Sequence, residues 1–560
     1  MKKNLFLAGF LATAFLFGCS DDVPENGGLE NVKGEVGYVK VAINLPTTSG
    51  VPVKGANGND NFDDGIEAEY KVNDIILAIF EGDKEDDATF KEAYNLAVDK
   101  KQDQDQDGNV TVKYPSEVLQ ITKPERENHL YALAIVNQSS LFSADGKGKL
   151  EFAGAAFNGK LSDLNNVAKI VPLDNIADVT GSNFLMTNAP ITDKASSNNV
   201  ATDGRDVTTL VKLTVYNTKR EAEVNNKPDQ IYVERAVAKV TTFVTGGTDN
   251  TLTIAAPGMA YDKATVKFEG WRLNLTNKTY YPVRKVSDWN DWKGYYVDAE
   301  VNRFFGEAAN PYRVYWAVDP NYESTGDDAL NRFTAANAPT VWNDMKADEY
   351  CAENTTTAVE MKQNNLTGIL LKTRFKLAGT ADDANLFVLG SSSTIYSEDN
   401  FLAKAKAALP VAADLKVKAG VTEGTIITNK AGVLSLICKN DDTELSDIEA
   451  GKILEACSNT IKFYKGGVMF YYTSVIKHFG DNPTAFTGDV NNPSYTEKDH
   501  LGRYGVVRNN WYEINITKVS GPGEPEIPVI PDEPVDKKHS FINAEINILS
   551  WAKRTQDVEL

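Results

Sequence analysis

The sequence predicts a mainly β protein, and two observations carry that reading. From Asp74 onward short strand patterns recur, at residues 75–80, 131–137, 207–216, 231–244, 264–275 and 312–318. Gly, Asn, Asp and Pro separate them, the punctuation of β-sandwiches or barrels. Aromatic residues make up 10% of the chain, with 23 Tyr and 24 Phe, too many for a disordered polymer. At 560 residues there is room for two to four cores of ~100–200 residues each.

The first strand stands apart from the rest. Residues 20–35 are polar and read as a tether; then Val39, Val41, Ile43 and Leu45 alternate with Lys40, Ala42 and Asn44. A period of two gives a strand one apolar face. Pro46 ends it, and a loop dense in Gly, Asn and Asp runs over 47–65 with Lys54 inside. The run Thr245-Gly-Gly-Thr-Asp-Asn250 reads as a domain junction.

Short helices are predicted later in the chain. Ser446 and Glu449 have capping-box spacing, in which the Ser oxygen accepts from the N–H three residues on and the Glu reaches back. Ile453, Leu454 and Cys457 then share a face. Ser397 with Phe401, Leu402, Ala405 and Leu409 predicts a second helix, stopped by Pro410. Strand patterns return at 461–475 and 504–519.

The tail carries the strongest local pattern. Pro522, Pro525, Pro528, Pro531 and Pro534 recur every third residue, the period of polyproline II. Such a stretch reads as a stiff rod on the order of 37 Å long at ~3.1 Å per residue. Beyond it Phe541, Asn543, Glu545 and Asn547 alternate with Ile542, Ala544, Ile546 and Ile548, and Trp551, Val558 and Leu560 follow. A strand carried on a rod has no obvious partner in its own domain and looks built to reach another molecule.

The N-terminus predicts export. Lys2 and Lys3 precede an apolar run over 5–17, shorter than the ~20 residues a spanning helix needs, so it reads as a secretory signal. It ends Leu16-Phe17-Gly18-Cys19, which resembles the lipobox of bacterial lipoproteins and makes Cys19 the lipidated residue. Ser20-Asp21-Asp22 resembles a surface-export signal. The other cysteines are Cys351, Cys438 and Cys457, which leaves one disulfide with a free thiol, or three buried thiols.

Charge and motifs narrow the function. With 58 Lys plus Arg against 78 Asp plus Glu, the net charge of −20 argues against a nucleic-acid partner. No zinc, P-loop or nucleophile-elbow pattern occurs, so the chain does not read as an enzyme. Asp103, Asp105, Asp107 and Gly108 have the opening spacing of a calcium loop, but Tyr114 stands where the bidentate Glu belongs. These aspartates are either a calcium-ordered turn, with Glu117 near enough to contribute, or a solvated acidic hairpin turn. No other cofactor is indicated.

Several runs together resemble the fimbrillins of type V pili in Bacteroidia, over nearly the whole chain. They are Tyr131-Ala-Leu-Ala-Ile-Val-Asn137, Asn183-Phe-Leu-Met-Thr-Asn188, Val233-Glu-Arg-Ala-Val-Ala-Lys239 and Val507-Arg-Asn-Asn-Trp-Tyr-Glu-Ile-Asn-Ile516, followed by the proline segment and the closing Val558-Glu-Leu560. The resemblance implies two tandem transthyretin-like β-sandwich domains with short helical insertions and a C-terminal donor-strand tail. It divides the chain into a lipoprotein signal over 1–19, a propeptide with a removable first strand over 20–54, sandwiches over 55–245 and 246–520, and a proline-rich rod and donor strand over 521–560.

The resemblance also implies a mechanism and partners. A trypsin-like protease would cut between Lys54 and Gly55; Lys33 and Lys40 are alternatives, but cutting there would not free the strand whole. Loss of Val39, Val41, Ile43 and Leu45 would open a sheet edge, and Ile542, Ala544, Ile546 and Ile548 of a neighbouring copy would fill it. Partners would be further copies of the chain, fimbrial anchor and tip subunits, and the outer membrane through the precursor lipid. The competing reading is a tip adhesin or monomeric glycan-binding lipoprotein, with Trp271, Trp289, Trp292, Trp316 or Trp342 stacking on sugars or buried in cores.

Overall fold

The computed structural model describes residues 35–45, 61–62, 65–99, 102–103, 112–125, 128–138, 140–146, 148–166, 173, 176–192, 207–224, 227–286, 304, 312–326, 328–473, 475–481, 484–537, 549–550 and 552–559. Strands dominate, and helices are short.

The first core gathers around one long sheet. Its strands run in the order Thr89–Leu96, Ile75–Gly82, His129–Val136, Met186–Asn188, Asp229–Arg235, Val41–Asn44 and Val112–Pro115. Ile75–Gly82 and His129–Val136 bury side chains on both faces, so they read as continuous apolar runs without alternation. The patterned stretch 207–216 contributes little: only Val211–Lys212 is a strand, pairing with His129–Val136.

The stretch 231–244, continuous in its strand pattern, breaks at Ala236 and Val237. Asp229–Arg235 belongs to the first sheet; Ala238–Val244 belongs to the second, parallel to Trp511–Lys518 and antiparallel to Asp348–Cys351. The change of sheet therefore precedes the expected boundary at 245/246, and the turn 245–250 follows a strand of the second unit.

The second unit is a sandwich. Ala238–Val244 and Trp511–Lys518 send Val240, Tyr512, Ile514 and Ile516 inward. They meet Val266, Phe268, Trp271, Ile369, Leu371, Met469 and Tyr471 from Thr265–Asn274, Gly368–Lys376 and Val468–Thr473. Interdigitation of two inner faces is what holds a sandwich closed.

A smaller third core packs helices Glu398–Ala407, Lys430–Leu436 and Asp447–Ala456 on strands Leu386–Leu389 and Ile461–Tyr464. Both expected N-caps form. Ser446 Oγ accepts from Glu449 N at 3.3 Å while Glu449 Oε2 accepts from Ser446 N at 2.7 Å. Ser397 Oγ accepts from Asn400 N at 3.4 Å. Ser446→Ala is expected to cost about 1 kcal/mol, read as a lower urea midpoint; an unchanged midpoint would contradict the capping role.

Cys351, Cys438 and Cys457 are free and buried, the three-thiol alternative. Burial pushes the Cys457 thiol up to about 11, so the thiolate is scarce at neutral pH. Trp271 and Trp316 are fully buried and cannot stack on a sugar; Trp342 is half-buried, and Trp289 and Trp292 lie outside the described residues. No described helix is long and apolar enough to cross a membrane.

Candidate assembly site

The leading strand sits in the interior of the first unit. Val36–Val39 pairs antiparallel with Leu119–Thr122, and Val41–Asn44 lies between Asp229–Arg235, to which it is parallel, and Val112–Pro115, to which it is antiparallel. Between the two halves the register slips by one residue, and Ser116 bridges the slip. Its Oγ accepts from Val41 N at 3.0 Å, and its N–H donates to Val41 O at 2.8 Å. Gly37 is required by close approach, since a Cβ there would meet Val215 Cγ1 at 2.8 Å and Lys123 Cγ at 2.9 Å.

Val39, Val41 and Ile43 are 0% exposed and Leu45 is 1% exposed. At ~1.5–3 kcal/mol for each buried side chain, these four contribute roughly 6–12 kcal/mol of transfer free energy. The alternation is only half the picture, because Ala42 and Asn44 are buried too. Asn44 Nδ2 donates to Gln230 Oε1 and to Ala42 O, each at 3.2 Å. The strand is covered on both faces, so its loss would leave two unpaired ladders beside an apolar slot.

The proline segment is not a free rod. Gly521 to Lys537 lies along the second unit, held in part through Glu524, Ile527, Ile530 and Glu533. Glu524 exchanges both backbone hydrogen bonds with Phe470, at 2.8 and 2.9 Å, and its carboxylate meets Lys462 at 2.7 Å. Ile527 and Ile530 are buried, and Glu533 O accepts from Gln363 N at 2.8 Å. The three-residue period is used, but as an adhesive edge on the subunit's own surface.

The end of the chain has a partner as well. Ala552–Glu559 lies parallel to Trp511–Lys518, with Asn61–Phe62 on its other side. The apolar alternation Ile542, Ala544, Ile546 and Ile548 lies outside the described residues, as do Cys19, Lys54 and Gly55. Asp105 and Asp107 also lie outside them, and Asp103 is described only as backbone pairing with Val112. Tyr114, the twelfth position of that loop, packs in the first core and pairs with Ile43. Among the described residues no group of three or more His, Cys, Asp or Glu is placed to hold a metal ion.

Sequence reasoning missed a buried charged seam between the two units, although Glu234, Arg235, Lys239 and Arg508 lie in the motif runs. Met186–Asn188 pairs with both His129–Val136 and Asp229–Arg235. Asn188 stitches that sheet, its Nδ2 donating to Ala132 O at 2.9 Å and its Oδ1 accepting from Ala134 N at 2.8 Å. Lys239 Nζ meets Glu69 Oε1 at 2.9 Å and Asp348 Oδ2 at 3.0 Å, and stands 4.1 Å over the Trp511 ring. Tyr350 donates its hydroxyl to Glu69, and the burial of that hydroxyl, beside the Glu69 carboxylate, raises its pKa. Arg235 Nε donates to Glu69 O at 2.7 Å, and Asn509 N donates to Val237 O at 2.7 Å. Alongside, Arg508 pairs with Glu353 and Arg284 with Glu234, each at 2.7 Å. The detectable signal was charge inside otherwise apolar strand patterns.

Comparison with known proteins adds one family match. Residues 462–557 match the model of the C-terminal region of fimbrillin, the major fimbrial subunit protein type IV. That span takes in strand Trp511–Lys518, the proline segment and most of the terminal strand. Among solved structures, a fimbrilin of Porphyromonas gingivalis W83 is similar at 11% identity, covering 93% of this chain and 96% of that one, with a TM-score of 0.32. The tip fimbrial protein Mfa3 of Porphyromonas gingivalis is similar at 11% identity, covering 88% and 99%, also at 0.32. Scores of this size transfer no mechanism. A search of the curated proteins finds no match.

Proposed function

We propose that the chain is a fimbrillin and the repeating stalk subunit of a surface fimbria, a structural protein with no catalytic role. It is exported as a lipoprotein through Cys19 and cut between Lys54 and Gly55 by a trypsin-like protease. The cut releases the lipid and the leading strand together. The vacated slot is then filled by Ile542, Ala544, Ile546 and Ile548 of a neighbouring copy. Because slot and tail lie on one chain, the contact is head-to-tail, repeats without closing, and yields a filament.

The observation that carries this reading is the leading strand's position. It supplies core side chains between two hydrogen-bonded neighbours, yet it precedes Lys54 in the sequence, so one cut there would sever it from everything it stabilises. A protein meant to stay monomeric gains nothing from that arrangement.

Two measurements test it. Subunits sheared from the cell surface should begin at Gly55, and Lys54→Ala should accumulate as lipidated monomer. Deleting 541–560 should leave secretion intact and abolish polymers. Polymers that persist after the deletion would sink the reading and leave the tip or glycan-binding alternative.

A further inference from the structure

The proline segment ends in a polar seat that neither the family match nor the strand-exchange reading requires. Asp536 accepts four hydrogen bonds from side chains. Arg503 donates from Nε to Oδ2 at 2.9 Å and from Nη2 to Oδ1 at 2.7 Å; the Tyr504 and Tyr495 hydroxyls reach Oδ1 at 2.8 Å and Oδ2 at 3.0 Å. Asp536 N donates back to the Tyr495 oxygen at 2.8 Å. A bidentate guanidinium–carboxylate pair fixes orientation as well as distance.

The seat is anchored deep in the second unit. The Arg503 side chain is 4% exposed, and its Nη1 donates to Gly480 O at 2.9 Å and Thr484 O at 3.0 Å while meeting Asp481 at 2.6 Å. Beside it Val535 is buried among Ala358, Met361, Leu366, Val475 and Tyr504, and its N–H donates to Met361 O at 3.1 Å. Glu533 and Lys537 pair across the same turn at 2.6 Å.

We propose that Asp536, held by Arg503, Tyr495 and Tyr504, is the mechanical anchor of the tail: the point where a neighbouring subunit's pull enters this one. The claim rests on the reading that Ile542, Ala544, Ile546 and Ile548 bind a neighbour. On that reading, tension along the filament would otherwise peel the proline segment from its far end, one contact at a time. The contacts nearest that end are modest, the buried Ile530, one backbone bond from Gln363 to Glu533 and a solvent-accessible Lys362–Asp532 pair at 3.4 Å, with the Glu524 bonds to Phe470 and Lys462 further back. The seat places the strongest, charge-assisted contact at the end that is pulled first, so the segment is loaded together and the exit point stays fixed.

The test uses full-length protein carrying Asp536→Asn, which keeps size and removes the charge. Hydrogen exchange over 521–537 in the uncut precursor should quicken about tenfold, the effect of one lost charge-assisted hydrogen bond on local opening. Exchange over 511–518 should stay as in wild type. After cleavage, Asp536→Asn polymers should break into shorter fragments under the same shear; a folded subunit that cannot polymerise would count the same way. Should Asp536→Asn fail to fold, Tyr495→Phe removes the two hydrogen bonds of that hydroxyl and keeps the ion pair, and it should give the same changes in smaller degree. Unaltered fragment length despite faster exchange would overturn the proposal, leaving the seat as packing alone. The strand-exchange reading fails separately, if subunits lacking 541–560 still polymerise.

Discussion

Ile43→Ala is expected to destabilise the uncut precursor by roughly 2–5 kcal/mol and to leave the assembled polymer untouched. Ile43 is 0% exposed, pairs with Ile231 on one side and Tyr114 on the other, and lies in the first core. Truncating it leaves a cavity between strands that its own backbone holds in place, so relaxation is limited. The loss should appear as a lower denaturant midpoint in the precursor. The polymer gives the discriminating half: if the strand departs on cleavage, Ile43 is absent from the fibre, and wild-type and variant fibres should dissociate at the same denaturant concentration. Variant fibres weaker than wild type would mean that the leading strand stays in the assembled subunit.

That prediction depends on a residue whose importance was legible before any fold was known. The alternation of Val39, Val41, Ile43 and Leu45 marked the strand and its core-facing side chains, because a strand's side chains change face at every residue. Burial of Ala42 and Asn44 was not legible. Alternation reports polarity, and a small residue and a hydrogen-bonded amide pass as solvent-facing when their partners, such as Gln230, come from far along the chain.

The tail shows the same limit in another form. A period of three was plain from the prolines, yet it does not say which edge of the segment adheres. Glu524 is held by Phe470 and Lys462, and Ile530 packs with Leu275, Leu330 and Tyr472, and no local window contains these partners. The break at Ala236 and Val237 was hidden for a similar reason. Strand propensity runs through both, and only the need to serve two sheets divides them.

Lys239→Met is expected to be among the most damaging single changes, costing about 3–5 kcal/mol, because it strands a carboxylate that folding has already desolvated. The Lys239 side chain is 2% exposed and the Glu69 side chain 0%, so water cannot replace the lost partner. Glu69→Gln alone should also destabilise, leaving Lys239 with Asp348, whose side chain is 27% exposed. The double variant Glu69→Gln with Lys239→Met should recover part of the loss, since removing both charges removes the stranded one. A double variant that merely sums the two single losses would mean that the residues act independently. The consequence extends beyond stability. Glu69 belongs to the first unit, and Lys239 is on the strand Ala238–Val244 that pairs with Trp511–Lys518 in the second. If the seam makes one body of the two units, the single variants should show two separated unfolding transitions where wild type shows one. A single broadened transition in Lys239→Met would mean that the remaining seam contacts, such as those of Asn509 with Arg235 and Val237, are enough to couple them without the Lys239 charge.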